Sequence, residues 1–184
     1  PMFLGRSDET AILNKYYESG ENSLIVLYGR TGIGKTSLIK NFAKDKPFFY
    51  YCSAQASDRH QISIFTEAVK NQIGFYSVDE QKDVDVLSYD AHFALTKRIP
   101  GDMKLVIIDE FQNIIKQNKE FMDSVIKLAG GEFFDEKVMV VLLSSSISWI
   151  ENGLVSSIGS SALKITEFIK LKELSFVDTV RMFP

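Results

Sequence analysis

A short glycine-rich stretch carries the residue types that bind a polyphosphate. Residues 29–36 fit the pattern G-x-x-x-x-G-K-[ST] at each fixed position. Glycines let backbone N–H groups turn inward around phosphate oxygens, Lys35 supplies a mobile charge for the β- and γ-phosphates, and Thr36 supplies a hydroxyl for Mg²⁺. The stretch lies between an apolar run and a helical pattern, where a helix N-terminus adds partial positive charge. The expected nucleotide contacts are Gly29, Arg30, Thr31, Gly32, Ile33, Gly34, Lys35, Thr36 and Ser37.

Two adjacent carboxylates supply the second part of the predicted chemistry. Asp109 and Glu110 follow the apolar residues 105–108, which are typical of a buried strand. If that strand neighbours the one before the glycine-rich stretch, Asp109 lies at the carboxyl edge of the sheet, where ligands bind. There Asp109 can hold Mg²⁺, and Glu110 can polarise an attacking water as a general base. The pair favours hydrolysis of a nucleoside triphosphate, with Lys35 and Glu110 as catalytic residues and Thr36 and Asp109 as metal ligands.

Two further polar segments are less specific. Asn118 and Lys119 resemble the start of the guanine-binding pattern Asn-Lys-x-Asp, but Phe121 occupies the place of its aspartate, so guanine specificity is not supported. Serines at 144–146 follow the apolar residues 138–143. Either one of them directs a hydroxyl or amide at the γ-phosphate or the attacking water, or they form an ordinary serine-rich turn. Periodicity does not choose among them, and we take Ser144 as the candidate contact.

These residues need a scaffold, and the apolar runs predict one. Strand and helix patterns alternate along the chain, which is typical of an α/β fold with a mainly parallel sheet and helices on both faces. The expected strands cover residues 24–28, 48–52, 105–108, 138–143 and 165–171. The expected helix N-caps are Ser7, Asp58, Ser88 and Asn118, and Ser175 begins a last helix. Cys52 lies in an apolar run and is expected to be a small buried hydrophobe.

The composition excludes several other classes of protein. The chain has 184 residues, of which 45% are hydrophobic and 24% are charged, as in an ordinary globular domain. A single cysteine excludes an internal disulfide and a cysteine-based zinc site. A net charge of −3 gives no basic footprint for nucleic acid. The sequence has neither a membrane-spanning apolar run nor a secretory signal, so we expect a cytoplasmic protein without a membrane partner.

Several segments together resemble the archaeal-type ATPases, an AAA-related, STAND-like family of additional-strand P-loop proteins. Its characteristic opening, phosphate loop, acidic strand, L-x-G-S-S segment and closing strand-plus-turn have counterparts at residues 3–13, 28–36, 107–111, 142–146 and 168–176. The resemblance implies a three-layer α/β/α P-loop NTPase fold with a five-stranded parallel sheet in the order 5-1-4-3-2. It also implies Mg-ATP as the ligand, with Gly5 and Arg6 near the adenosine.

The resemblance also implies a domain organisation. Residues 1–184 would form one ATPase core that ends before a C-terminal helical or winged-helix module. The family often has an arginine before the fifth strand, whereas residues 159–165 contain Lys164 and no arginine, so a γ-phosphate-sensing arginine is not expected there. Three functions stay open: ATP hydrolysis to ADP and phosphate, a nucleotide switch that controls the further module, and a DNA-handling ATPase, which the charge does not support. A homo-oligomer or a protein partner also stays open.

Overall fold

A five-stranded parallel sheet forms the centre of the computed structural model, which describes residues 6–74 and 88–174. The strands are β1 (Ser23–Tyr28), β2 (Phe48–Cys52), β3 (Met103–Asp109), β4 (Lys137–Ser144) and β5 (Glu167–Lys170). Their order in the sheet is β2-β3-β4-β1-β5, and all neighbouring pairs are parallel. The predicted order 5-1-4-3-2 and the predicted α/β class are therefore confirmed.

Continuous apolar runs form the central strands because both faces of the sheet are covered. Every residue of β1 and of β3 is buried, as expected for a parallel sheet between two helical layers. β4 lies between these strands, and its Leu142 is the register partner of both Val26 in β1 and Ile108 in β3. The three strands therefore run side by side to the same edge, and the loops that follow them emerge together.

Helices cover both faces of the sheet. They are α1 (Ser7–Glu18), α2 (Lys35–Ala43), α3 (Asp58–Gln72), α4 (Tyr89–Ala94), α5 (Gln112–Ile115), α6 (Glu120–Ala129), α7 (Ile147–Asn152) and α8 (Leu154–Ile158), with 3₁₀ turns at Leu95–Arg98 and Gly159–Lys164. One core joins α1 and α2 to alternate strand residues such as Ile25 and Ile107. The other core lies on the opposite face, beneath α3 to α8. In the described part of the chain, no helix has both the length and the apolar character needed to cross a membrane.

The outer edge of β2 is covered by a side chain instead of another strand. The side-chain amide of Gln72, the last residue of α3, accepts a hydrogen bond from the Tyr50 N–H (2.9 Å) and donates one to the Tyr50 carbonyl (2.6 Å). An edge strand leaves such backbone groups unpaired, and a carboxamide can satisfy a donor and an acceptor at once. Gln72 thus fixes the middle of β2 against α3.

Two predicted helix caps differ from the structure. Ser57, not Asp58, caps α3, because its backbone is extended and its hydroxyl accepts the N–H of His60 at 3.2 Å. Asp58 is already the first helical residue. Ser7 is likewise the first residue of α1, and Arg6 takes the position before it without a side-chain cap. Both helices therefore begin one residue earlier than predicted.

The other two predicted caps hold helix-terminal N–H groups. The Ser88 hydroxyl accepts the N–H of Ala91 at 3.3 Å at the start of α4. The Asn118 side chain accepts the N–H of Glu120 at 3.0 Å, although Lys119 is the residue directly before α6. The helix predicted to begin at Ser175 lies outside the described residues.

Candidate active site

The loops after β1, β3 and β4 surround one cavity at the carboxyl edge of the sheet, with a volume of about 490 Å³. It is lined by Thr31, Gly32, Gly34, Lys35, Thr36 and Ser37 from the glycine-rich loop and α2, and by Cys52, Asp109, Glu110 and Ser145 near the ends of β2, β3 and β4. Parallel strands end at a common edge, so residues that are far apart in sequence meet there. Most of the predicted site residues are thus brought together.

The glycine-rich loop (residues 29–36) needs glycine at two positions for its backbone conformation. Gly32 has a φ of 82° and Gly34 a φ of 104°, in the left-handed region that residues with a Cβ rarely adopt. A Cβ at either position would meet no atom within 4 Å, so conformation rather than space is the requirement. Gly34 is also the N-cap of α2. The unpaired N–H groups of the first helical turn therefore lie at the cavity, where an anion can bind them.

The Lys35 ammonium group is held inside the loop. Lys35 is 7% exposed, and its Nζ donates hydrogen bonds to the carbonyl oxygens of Gly29 (2.7 Å) and Arg30 (3.0 Å). Burial lowers the pKa of Lys35, and the charges of Glu110 and Asp109 oppose that shift. Among the described residues, the hydrogen-bond acceptors of this positive charge are neutral carbonyls, which is suitable for contact with a phosphate.

Asp109 is a buried carboxylate with one fixed oxygen. It is 6% exposed, and its Oδ2 accepts a hydrogen bond from the Tyr50 hydroxyl at 2.6 Å. Burial raises the pKa of Asp109, whereas the Tyr50 hydrogen bond opposes that shift by stabilising the ionised form. Burial and this carboxylate together raise the pKa of Tyr50, so the hydroxyl keeps the proton that it donates. Asp109 can still bind a cation through its remaining lone pairs.

Glu110 combines a strained backbone with a carboxylate that accepts three hydrogen bonds. Its φ of 54° is the one positive value at a non-glycine residue in the described ranges. Its Oε1 accepts the Ser145 N–H (2.9 Å), and its Oε2 accepts the Ser145 hydroxyl (2.7 Å) and the Gln112 amide (2.6 Å). The Ser53 hydroxyl donates to the Glu110 carbonyl oxygen. These contacts hold the carboxylate at the cavity in one orientation.

The serine that lines the cavity is Ser145, not the predicted Ser144. Ser144 is the last residue of β4 and is completely buried. Its hydroxyl accepts the N–H of Ser146 (3.1 Å), and its carbonyl accepts the N–H of Gly29 (3.2 Å). Because side chains alternate along a strand, neighbouring serines lie on opposite sides, and the sequence pattern could not choose among them. Ser144 therefore connects β4 to the glycine-rich loop without facing the cavity.

Arg6 contacts the glycine-rich loop from outside the cavity. It is 4% exposed, and its guanidinium group donates hydrogen bonds to the carbonyl oxygens of Ile33 and Lys172, each at 2.8 Å. Lys172 belongs to the segment that follows β5. Arg6 therefore joins that segment to the loop. Gly5, its predicted companion near the adenosine, lies outside the described residues.

Two loop residues make further contacts with the segment after β5. The exposed Arg30 forms an ion pair with Glu173 at 2.8 Å. A Cβ at Gly29 would lie 2.9 Å from the carbonyl oxygen of Leu171, so a larger residue does not fit there. Among the predicted contacts in the described ranges, those that do not line the cavity are Arg6, Gly29, Arg30, Ile33 and Ser144.

Besides Ser145, two residues at the site escaped prediction from the sequence. Cys52 was expected to be buried, but it is exposed and lines the cavity, because it ends β2 as the register partner of Asp109. Tyr50, two residues earlier, reaches the Asp109 carboxylate. The sequence signal that could have identified both residues is their position at the end of a predicted strand. Once β2 is placed beside β3, its last residues must reach the same edge of the sheet.

The site suits a magnesium ion that is shared with a nucleotide. The Thr36 hydroxyl and the Asp109 carboxylate line the same cavity, and Mg²⁺ prefers oxygen ligands. Within residues 6–74 and 88–174, no three His, Cys, Asp or Glu side chains group closely enough to hold a metal ion by themselves. Mg²⁺ usually combines one or two protein oxygens with waters and substrate phosphates, so these two residues fit the ion together with a bound nucleotide.

Comparison of the amino-acid sequence identifies a family and a relative of this chain. A family model described as an ATPase domain predominantly from Archaea matches residues 3–184. An uncharacterized protein of Methanocaldococcus jannaschii is 27% identical over 183 residues, which is 100% of this chain and 38% of that protein. The chain thus spans well under half the length of this relative.

Solved structures share the fold. The Walker-type ATPase PABY2304 of Pyrococcus abyssi gives a TM-score of 0.67 at 14% identity, over 97% of this chain and 56% of that one. The ORC1 protein of Aeropyrum pernix, solved in complex with DNA, gives a TM-score of 0.63 at 19% identity, over 98% of this chain and 48% of that one. At such identities the likeness concerns the fold alone.

We expect Arg6→Ala to lower the free energy of unfolding by about 1.5–3 kcal/mol, because it removes hydrogen bonds from a charged donor to two carbonyl groups. Arg30→Ala is the matched control, since it removes an exposed ion pair to the same segment and should cost less than about 1 kcal/mol. Urea unfolding curves of both variants measure the difference. Equal losses would show that the buried Arg6 contacts stabilise the fold no more than an exposed ion pair does.

Proposed function

The chain belongs to the family of ATPase domains found predominantly in Archaea, and we propose that it hydrolyses Mg-ATP to ADP and phosphate. One observation carries the proposal: Lys35, Thr36, Asp109 and Glu110 line a single cavity. A lysine and a hydroxyl on a phosphate-binding loop, opposite two carboxylates, supply the charge neutralisation and the proton acceptor that phosphoryl transfer to water requires. The cavity volume of about 490 Å³ also falls within the range of about 300–1,000 Å³ common for ligand sites.

Binding in this proposal begins with the phosphates. Backbone N–H groups around Gly32 and Gly34, together with the N-terminus of α2, bind the phosphate oxygens. Lys35 exchanges its hydrogen bonds to two loop carbonyls for contacts with the β- and γ-phosphates. Because Lys35 is buried, water screens its charge only weakly. Mg²⁺, which Thr36 and Asp109 would hold, neutralises charge on the β- and γ-phosphates when it is bound.

Glu110 is the proposed general base. Its carboxylate accepts a proton from the attacking water while the water oxygen bonds to the γ-phosphorus and the bond to the bridging oxygen breaks, which yields ADP and phosphate. Ser145 and Gln112 donate three hydrogen bonds to this carboxylate, and a carboxylate has about four lone-pair sites, so a lone pair remains for the water. The Ser145 N–H and hydroxyl keep the carboxylate oriented while it accepts the proton.

A regulatory nucleotide switch is the second candidate, and the contacts of Glu110 favour it. Three hydrogen bonds hold the Glu110 carboxylate in one orientation, and if the attacking water does not meet it in that orientation, the domain binds ATP without rapid turnover. A phosphate-release assay separates the two functions. Release well above one phosphate per chain supports the enzyme, whereas nucleotide that stays bound after one turnover supports the switch.

Proposals about partners concern the longer proteins in which such domains occur. The chain spans 38% of its M. jannaschii relative, and we propose that the core works with a helical or winged-helix module, a second copy or a protein partner. The ORC1 structure contains DNA, but a net charge of −3 gives this chain little attraction for a phosphate backbone. ATP and ADP, not DNA, are therefore its proposed ligands.

Lys35→Ala should abolish ATP binding, because it removes the buried positive charge of the loop while leaving the backbone cradle in place. Lys40→Ala is the control, since Lys40 also lies on α2 but is exposed and does not line the cavity. Isothermal titration calorimetry with ATP measures both variants. Retained ATP affinity in Lys35→Ala would contradict the assignment of the loop.

Glu110→Gln should keep ATP affinity and lower the rate of phosphate release by about 10²–10⁴-fold, the contribution typical of a general base. The amide preserves the size of the side chain but cannot accept the proton. Glu120→Gln on the exposed surface of α6 is the control. Phosphate release from Glu110→Gln at the wild-type rate would remove Glu110 as the base.

A further inference from the structure

We infer that Tyr50 is a positioning residue that orients Asp109 for metal binding, an inference that rests on the function proposed above. Tyr50 belongs to no nucleotide-binding motif and lies in β2, the edge strand of the sheet. Its hydroxyl nevertheless donates to Asp109 Oδ2 at 2.6 Å. Asp109 is the buried carboxylate at the cavity, so a contact that fixes it also determines how it meets a cation.

The reach of Tyr50 follows from the register of β2 and β3. Tyr50 pairs with Ile107, and Cys52 pairs with Asp109. Side chains two residues apart share a face of the sheet, so Tyr50 and Asp109 lie in diagonal positions on one face, within reach of a long side chain. The Tyr50 ring packs against the core beneath α1 and α2. This packing directs its hydroxyl along the sheet toward the carboxyl edge.

Tyr50 is also fixed from the outer side of the sheet. Its backbone N–H and carbonyl are both hydrogen-bonded to the Gln72 amide, so the main chain of β2 cannot shift relative to the end of α3 without breaking two contacts. Gln72, Tyr50 and Asp109 therefore form a continuous connection from the end of α3 to the cavity. The backbone that carries the Tyr50 hydroxyl is therefore held in place, and so is the donor that it presents to the carboxylate.

A fixed donor beside a buried carboxylate has a definite consequence for metal binding. Without the Tyr50 hydroxyl, the Asp109 carboxylate is held less firmly, although the Glu110 backbone still hydrogen-bonds to it, and it loses a dipole that stabilises its negative charge. Both effects weaken a cation site. Groups that orient metal ligands typically contribute about 10- to 100-fold in metal affinity. We expect the lower end of that range here, because waters and phosphates also bind Mg²⁺.

The test measures metal affinity directly, with Mn²⁺ as a paramagnetic substitute for Mg²⁺ at oxygen ligands. The protein, in excess over a non-hydrolysable ATP analogue, is titrated with Mn²⁺ while electron paramagnetic resonance reports the free ion. Tyr50→Phe keeps the ring and removes the hydroxyl, and it should weaken Mn²⁺ binding about tenfold. Its affinity for the metal-free analogue should be unchanged. Tyr51→Phe is the matched control, because that hydroxyl contacts Gln61 on the opposite face and its loss should leave Mn²⁺ affinity unchanged.

Several outcomes would overturn the inference. Unchanged Mn²⁺ affinity in Tyr50→Phe does so, and so does an equal loss of affinity for the metal-free analogue, which a general structural role would produce. In an Asp109→Asn background, Tyr50→Phe should have no further effect, because the two residues act through one contact. A full additional loss in that background contradicts the proposed connection.

A second variant keeps the test decisive if Tyr50→Phe does not fold. Gln72→Ala releases the backbone of Tyr50 and retains its hydroxyl, so Mn²⁺ affinity should fall while metal-free affinity stays constant. An unchanged Mn²⁺ affinity in Gln72→Ala then overturns the inference. If the wild-type protein binds no Mn²⁺ with the analogue, the proposed function itself fails, whereas a failure confined to the variants concerns Tyr50 alone.

Discussion

The register of three parallel strands is the constraint on which the site depends. Leu142 of β4 pairs with Val26 of β1 on one side and with Ile108 of β3 on the other. This hydrogen-bond ladder fixes the glycine-rich loop, Ser145 and the acidic pair relative to one another. A shift of β4 by one residue would turn its buried side chains to the opposite faces and move Ser145 away from Glu110. The apolar core thus determines the geometry of a polar site.

Burial also determines the electrostatics of the site. Lys35 and Asp109 are both nearly inaccessible to water, and burial lowers the pKa of the lysine and raises that of the aspartate. Burial thus disfavours both charged forms, and local contacts oppose this effect. Two loop carbonyls stabilise the charge of Lys35, and the Tyr50 hydroxyl stabilises that of Asp109. Charges interact more strongly where water is excluded. The buried Lys35 can therefore attract a ligand with several negative charges, whereas Asp109 can do so only through a bound cation.

Much of the scaffold could be predicted from local pattern, but the contacts between strands could not. Apolar runs predicted every strand end to within two residues, because strands buried on both faces need continuous apolar sequence. Such runs do not specify neighbours, and the strand order came from the family resemblance. Tyr50 and Ser145 depend on register, which becomes visible only when strands are paired. Ser57 and Asp58 are both good capping residues, and only the backbone conformation decides between them.

The strain at Glu110 shows how the site holds its proposed base. A left-handed conformation at a non-glycine residue costs about 1–3 kcal/mol and persists only where the surroundings over-determine it. Three segments do so here: Ser53 after β2 binds the Glu110 carbonyl, and Ser145 after β4 and Gln112 of α5 bind its carboxylate. Hydrogen bonds to a charged group contribute about 1.5–3 kcal/mol each, enough to offset the strain. Glycine would adopt this conformation more easily. The presence of a glutamate at position 110 is therefore explained by the contacts of its carboxylate and not by a backbone preference.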